Sequence, residues 1–342
     1  MDTHCRTHTG HAIAIALACL WLACAGCSPA FGARGAKAEL ASSAGASRTP
    51  QVEATPAKRP PIVSRRALAP GLHELVFADG SVYRGTLRGS TFQGHGELVS
   101  GRFRYDGDFR DGLRDGHGTY TWPGGDRYEG RFVADRPEGR GTYAFANGDR
   151  YDGDVKDGTI EGRGVYACRN GDRYEGEFRG GAPNGLGSYR FANGDRYDGE
   201  VADGRIQGWG RYRTAAGDLV EASFADGRAT GIGRVEFATG DRYQGELAAG
   251  VPAGQGVYSY ASGLRYEGEV RDGAPRGRGM VRFPDGTRFE GRFEGTIAGA
   301  EGELVEPDGS RVPARIVDGK PEPVAPARSG IIPGPNTEAS HG

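Results

Sequence analysis

The sequence predicts an all-β chain, folded as an elongated, solenoid-like, single-layer antiparallel sheet of tandem β-hairpins. Three observations predict it. The chain copies itself: FANGDRYDGD, starting at Phe145, returns as FANGDRYDGE, starting at Phe191, and steps of twenty-three from Tyr105 land on Tyr128, Tyr151, Tyr174, Tyr197, Val220, Tyr243, Tyr266, Phe289 and Val312. A fixed period of this length marks a repeat architecture. Within each unit, apolar and polar residues alternate with period two between glycine-rich turns, the signal of paired strands, and no helical period competes. Finally, 61 glycines and 37% hydrophobic residues in 342 cannot build the thick core of a globular chain. Stability is then a sum of unit and neighbour terms.

From the N-terminus, residues 1–26 read as an export signal. The run AIAIALACLWLACA at 12–25 is apolar but too short to cross a membrane, and Ala25 and Gly26 precede Cys27. These flanks resemble a bacterial lipoprotein signal, which makes Cys27 the expected lipidation site, and Ser28 after it resembles the outer-membrane sorting choice. An ordinary signal cut near Ala30-Phe31-Gly32, releasing a soluble periplasmic or secreted protein, is the alternative. Residues 27–72, rich in Ala, Ser, Pro and Arg, read as a disordered tether behind the lipidated cysteine.

The array occupies residues 73–320, in about ten 23-residue units, and Leu75–Val82 supplies a capping half unit. Counting from the tyrosine that opens each unit, positions 1, 3 and 5 share one face of a first strand and positions 14, 16 and 18 one face of a second. The expected register pairs 1 with 18, 3 with 16 and 5 with 14, leaving a four-residue tip at 8 to 11. Each position-3 glycine then lies between two position-16 rings, and Gly199 between Tyr189 and Tyr212. Ala222 and Ala314 replace that glycine where a flanking ring is missing, at Val235 beside Tyr212 for the first and at Leu304 for the second. Twenty strands at about 4.8 Å give a rod on the order of 100 Å. Pro313 and a disordered tail over 321–342 are suited to stopping strand addition.

The recurring Tyr-x-Gly-x-hydrophobic followed by Gly-x-Gly closely resembles the MORN repeat (membrane occupation and recognition nexus) over about residues 75–320. That resemblance implies an elongated single-layer sheet serving as a scaffold or binding surface, without naming a partner.

No catalytic residue, metal ligand or cofactor site is expected. Four of seven histidines sit in the leader and tail, leaving His73, His95 and His117 without a carboxylate or cysteine cluster at ligand spacing. The acids recur with the period and read as a solvated stripe interleaved with Arg140, Arg163, Arg190 and Arg213. Cys168 reads as a small apolar filler at a normally aromatic position. A net charge of −2 argues against nucleic acid, and four lysines argue against direct lipid contact, leaving the lipid anchor as the membrane attachment. The opposite face is the candidate binding face: Tyr128, Tyr143, Phe145, Tyr151, Tyr166, Tyr174, Tyr189, Phe191 and Tyr197 form a row larger than the apolar patch of a solitary monomer. The expected function is a non-enzymatic, surface-tethered scaffold of the bacterial cell envelope that binds an envelope protein or a second copy of itself, with peptidoglycan glycan as the alternative ligand. Packing of these rings on one another into a thin core is the alternative reading of the row.

Overall fold

A computed structural model describes residues 50–52 and 59–324. The signal at 1–26, Cys27 and the tail from 325 lie outside the described residues. Twenty-four strands run from Ile62–Ala69 to Lys320–Pro323, and no helix occurs among the described residues. The chain divides into two units, the first holding residues up to 238 with 247–250, the second 239–246 and 251–324.

In the first unit consecutive strands from Ile62–Ala69 to Arg228–Glu236 pair antiparallel, beginning with Ile62–Ala69 against Leu72–Phe77. That edge strand falls within residues 27–72, so strand structure begins ahead of the boundary expected at 73. Leu72–Phe77 is the second strand rather than the cap, and the side chains of Ile62–Ala69 are exposed throughout. In the second unit the same meander closes with Arg311–Val317 against Lys320–Pro323. Pro313 does not stop it: it pairs with Glu303 on one side, and its carbonyl accepts from Val324 N–H on the other.

The register differs by two residues from the one expected. Inside the hairpin of Arg196–Ala202 and Arg205–Arg213, Tyr197 pairs with Tyr212, Gly199 with Gly210 and Val201 with Ile206. Toward the preceding strand, Tyr197 pairs with Tyr189 and Gly199 with Gly187. Position 1 therefore meets 16, and glycine 3 meets glycine 14. The cause is the tip. Instead of four residues it holds two, such as Asp203 and Gly204, both with positive φ (49° and 76°). That is a type I′ turn, whose twist matches the strands. The residues freed from the tip form a bulge: Gln207, Gly208 and Trp209 stand opposite Glu200 alone, and Gly208 takes φ 68°. A bulge of this kind strengthens local twist.

Candidate functional site

The tyrosine at position 1 lies along its own strand. Its ring covers glycines 3 and 14 of the same hairpin, and its hydroxyl donates to the carbonyl of position 4, the residue the bulge leaves without a normal ladder partner. Tyr151 to Asp154 O and Tyr197 to Glu200 O are both 2.8 Å, and Tyr174 to Glu177 O is 3.1 Å. Phenylalanines at position 5 fill the gaps edge-on, Phe178 meeting both Tyr151 and Tyr174 at 5.2 Å between ring centroids. Position-16 tyrosines reach neighbouring units: Tyr143 donates to Gly158 O of the next unit at 2.8 Å and Tyr212 to the Asp195 carboxylate of the preceding one at 2.7 Å.

The candidate binding face is consequently not an open aromatic row. Tyr128, Tyr143, Tyr151 and Tyr197 are 0% exposed, and Tyr166, Tyr174 and Tyr189 no more than 7%. Flat rings packed over side-chain-free backbone bury each other, which makes this row the core of a thin sheet. Burial pushes the Tyr174 hydroxyl up to about 12 and those of Tyr143 and Tyr189 higher still. Of the nine, only Phe145 and Phe191 remain half-buried, together with Trp122 and Cys168 at the same position 18 of other units.

Part of the ring side is covered by the chain itself. The Trp122 indole donates to the carbonyl of Gln51 at 3.0 Å, at the margin formed by position 18. At the opposite margin the Arg59 guanidinium sits 3.5 Å over the Phe92 ring and donates to Gly112 O. Burial lowers the pKa of Arg59, partly offset by Asp135.

The acids are not one solvated stripe. Asp149, Asp195 and Asp218, at position 22, are buried, and each accepts the backbone N–H of position 19 one unit later, at 2.7–2.8 Å. Asn147 and Asn193 fold the same turn around Asp149 and Asp195. Position-4 acids accept a bulge N–H, Asp154 from Arg163 and Glu200 from Trp209. The Asp-x₁₉-backbone spacing carried no signal in the sequence; the recurring Asn-Gly-Asp did, but read only as a connection. His95 stands 3.2 Å from Asp106 in a shallow depression with His117, Glu129 and Arg140, and among the described residues no three side chains converge as metal ligands.

Seven segments of the described chain are similar to the MORN repeat. The model of that family matches residues 105–127, 128–150, 151–173, 174–196, 197–219, 243–265 and 266–288. Among solved structures, the TCP10 domain of Danio rerio CPAP in complex with a peptide of Danio rerio STIL is 15% identical with a TM-score of 0.36, covering 74% of this chain and 98% of that one. The SAS-4 (dCPAP) TCP domain in complex with a proline-rich motif of Ana2, from Drosophila melanogaster, is 12% identical with a TM-score of 0.27, covering 64% and 100%. No curated protein matches the sequence.

Proposed function

We propose that the protein is a non-enzymatic scaffold, held at the bacterial envelope by a lipid on Cys27, that binds an extended segment of a partner protein along the half-buried row at position 18. The observation that carries this reading is the seating of Gln51 on Trp122 and of Arg59 on Phe92 and Gly112. The ring side already receives polypeptide, through indole N–H, arginine stacking and backbone carbonyls. Phe145 and Phe191 continue the row beyond Trp122 with the same half-exposed rings. Sugar stacking would need open ring faces, and the tyrosines that would supply them are buried.

The test places a photo-crosslinking residue at Phe145 and at Phe191 in the full-length chain in its envelope, with Cys27→Ser alongside. A discrete polypeptide adduct is expected at both positions, and Cys27→Ser should shift the protein to the soluble fraction and abolish labelling by a fatty-acid analogue. Adducts to glycan alone, or none, overturn the protein-binding reading. Unlabelled protein that stays membrane-bound overturns the anchor.

A further inference from the structure

The face opposite the rings carries a second feature, confined to three successive units. At position 13 the other units of the array hold His95, His117, Arg140, Arg163, Gln255, Arg278 and Glu301, all polar. The units opening at Tyr174, Tyr197 and Val220 hold Leu186, Trp209 and Ile232 instead, and these are 62%, 55% and 74% exposed. Single exposed apolar residues need no explanation. These three occupy one position of strands Ala182–Arg190, Arg205–Arg213 and Arg228–Glu236, each two strands from the next. At about 4.8 Å per strand they form one row roughly 19 Å long. Between Trp209 and Ile232 the position-4 acid is also missing: Trp209 pairs with Ser223 where Leu186 pairs with Glu200.

Four residues further along the same strands runs a line of arginines. Arg173 pairs with Arg190, Arg190 with Arg196 and Arg196 with Arg213. All four are exposed. Like charges directly opposite one another cost stability in a sheet, and in the preceding units alanine intervenes: Arg150 pairs with Ala144 and Ala167. Arg173 is paired with Glu175 at 3.1 Å. Among the described residues, Arg190, Arg196 and Arg213 make no ion pair or side-chain hydrogen bond, and Glu221, two residues along from the partner of Arg213, is held by Arg211 at 2.6 Å. The two lines lie about 13 Å apart, four residues of strand.

We infer that this patch, Leu186, Trp209 and Ile232 beside Arg190, Arg196 and Arg213, docks an acidic protein segment studded with large apolar side chains, on the face opposite the ring side and independently of it. The apolar row supplies contact area. The unpaired guanidiniums, which repel one another in the free protein, gain carboxylate partners only on binding, and an arginine fork can take a carboxylate through two hydrogen bonds. The second unit provides an internal control. Arg265, Arg282 and Arg288 form a similar run there, but position 13 is Gln255 and Arg278, so it has charge without the apolar row.

The experiment titrates the full-length chain with a fluorescent synthetic peptide of glutamate, leucine and phenylalanine, and with its lysine counterpart. Expected are saturable binding of the acidic peptide, weakening with salt, no binding of the basic one, and a loss of about tenfold or more in Leu186→Ser/Trp209→Ser/Ile232→Ser and in Arg190→Ser/Arg196→Ser/Arg213→Ser. Because all six side chains are exposed, both variants should melt with the parent. Arg282→Ser should bind as the parent does. Equal binding of both peptides, retention by either triple variant, equal weakening by Arg282→Ser, or binding of anionic phospholipid vesicles or duplex DNA in place of the peptide each overturns the proposal, as does no binding at all.

Discussion

Two neighbouring hairpins, Arg196–Arg213 and Leu219–Glu236, pair position 1 with 16 and position 5 with 10 alike, but the bulge stands opposite Glu200 in the first and opposite Ala222 in the second, and they fill the same space differently. In the first, Tyr197 lies over Gly199 and Gly210 and donates to Glu200 O. In the second, Val220 stands in place of the tyrosine and Ala222 in place of the glycine, and Ala222 is fully buried. The same exchange recurs at Val312 and Ala314, while every tyrosine or phenylalanine at position 1 precedes a glycine at position 3. Ring and glycine are therefore one device. What the strand requires is a filled space over its backbone, and a ring or a pair of methyl-bearing side chains can fill it. The family model matches the units on either side of 220–242 and not that one, yet the hairpin forms, because its register rests on turn and bulge rather than on the tyrosine.

The broadest way to separate the two solutions is alkaline pH, since only tyrosine titrates. Burial holds the hydroxyls of Tyr174, Tyr243 and Tyr266 up at about 12, and those of Tyr128 and Tyr197 above that. Below about pH 10 both folded and unfolded chains keep these protons and stability is level. Above it the unfolded chain releases protons that the folded rings retain until about pH 12, so stability falls by about 1.4 kcal/mol per pH unit for each tyrosine. With many such rings this is the largest effect expected. Denaturant midpoints from neutral pH upward, read beside phenolate absorbance, check it; phenols that ionise near pH 10 in the folded protein would contradict ring burial.

A third solution to local packing sits at the hairpin tip. Position 10 is apolar in the matched units that follow, as in Pro137, Ile160, Pro183 and Ile206, but it is Arg114 in the unit opening at Tyr105, and the facing position 8 is Asp135 where Gly158, Gly181 and Gly204 stand elsewhere. Arg114 is 1% exposed, and its backbone N–H and Nε both donate to Asp135 Oδ1 at 3.0 Å. Asp135→Ala should cost about 3–5 kcal/mol, the scale for stranding a buried charge. Arg114→Pro with Asp135→Gly, which writes the neighbouring units' solution into this one, should return the loss and can exceed the parent by about 1–4 kcal/mol. Urea melts decide, and a double variant no better than Asp135→Ala would show that the two residues act separately.

The period, the strand alternation and the all-β class were legible in the sequence because they are written twenty-three residues apart many times over. The register was not. Positions 1, 3 and 5 and positions 14, 16 and 18 have the same parity under either pairing, so alternation alone cannot tell Tyr197 facing Tyr212 from Tyr197 facing position 18. The deciding signal was the Asp-Gly of Asp157-Gly158 and Asp203-Gly204, two residues that both demand positive φ and so fix a two-residue turn. The burial of the candidate face stood in the sequence only as the alternative reading, for a related reason. Exposure of a ring depends on whether it stands away from the sheet or lies along its own strand, and Gly199 permits the second without announcing it. The arginine line has no signature within a unit, because Arg190 and Arg196 are neighbours only through pairing between units.

The finest comparison converts one hairpin toward the other. A methyl on Gly199 would stand 2.5 Å from Tyr197 Oη and 2.6 Å from Trp209 O, distances no ordinary side-chain contact reaches. Gly199→Ala should therefore cost about 1–3 kcal/mol, the range for overpacking. Tyr197→Val alone should also destabilise, by removing a buried ring and its bond to Glu200 O and leaving the backbone of Gly199 and Gly210 uncovered. Together the two changes recreate the Val220 and Ala222 arrangement, and the combined loss should fall short of the sum by about 0.5–3 kcal/mol, as for residues in contact. The recovery should be partial, because the Trp209 carbonyl remains close to the new methyl. Tyr197→Phe separates the two roles of the ring: it keeps the cover, loses the hydrogen bond at a cost of about 1 kcal/mol, and should rescue Gly199→Ala less than valine does. Denaturant melts of the three single variants and the two doubles with Gly199→Ala measure the coupling; strict additivity would mean that Tyr197 does not lie over Gly199, and the account of why tyrosine and glycine recur together would fall with it.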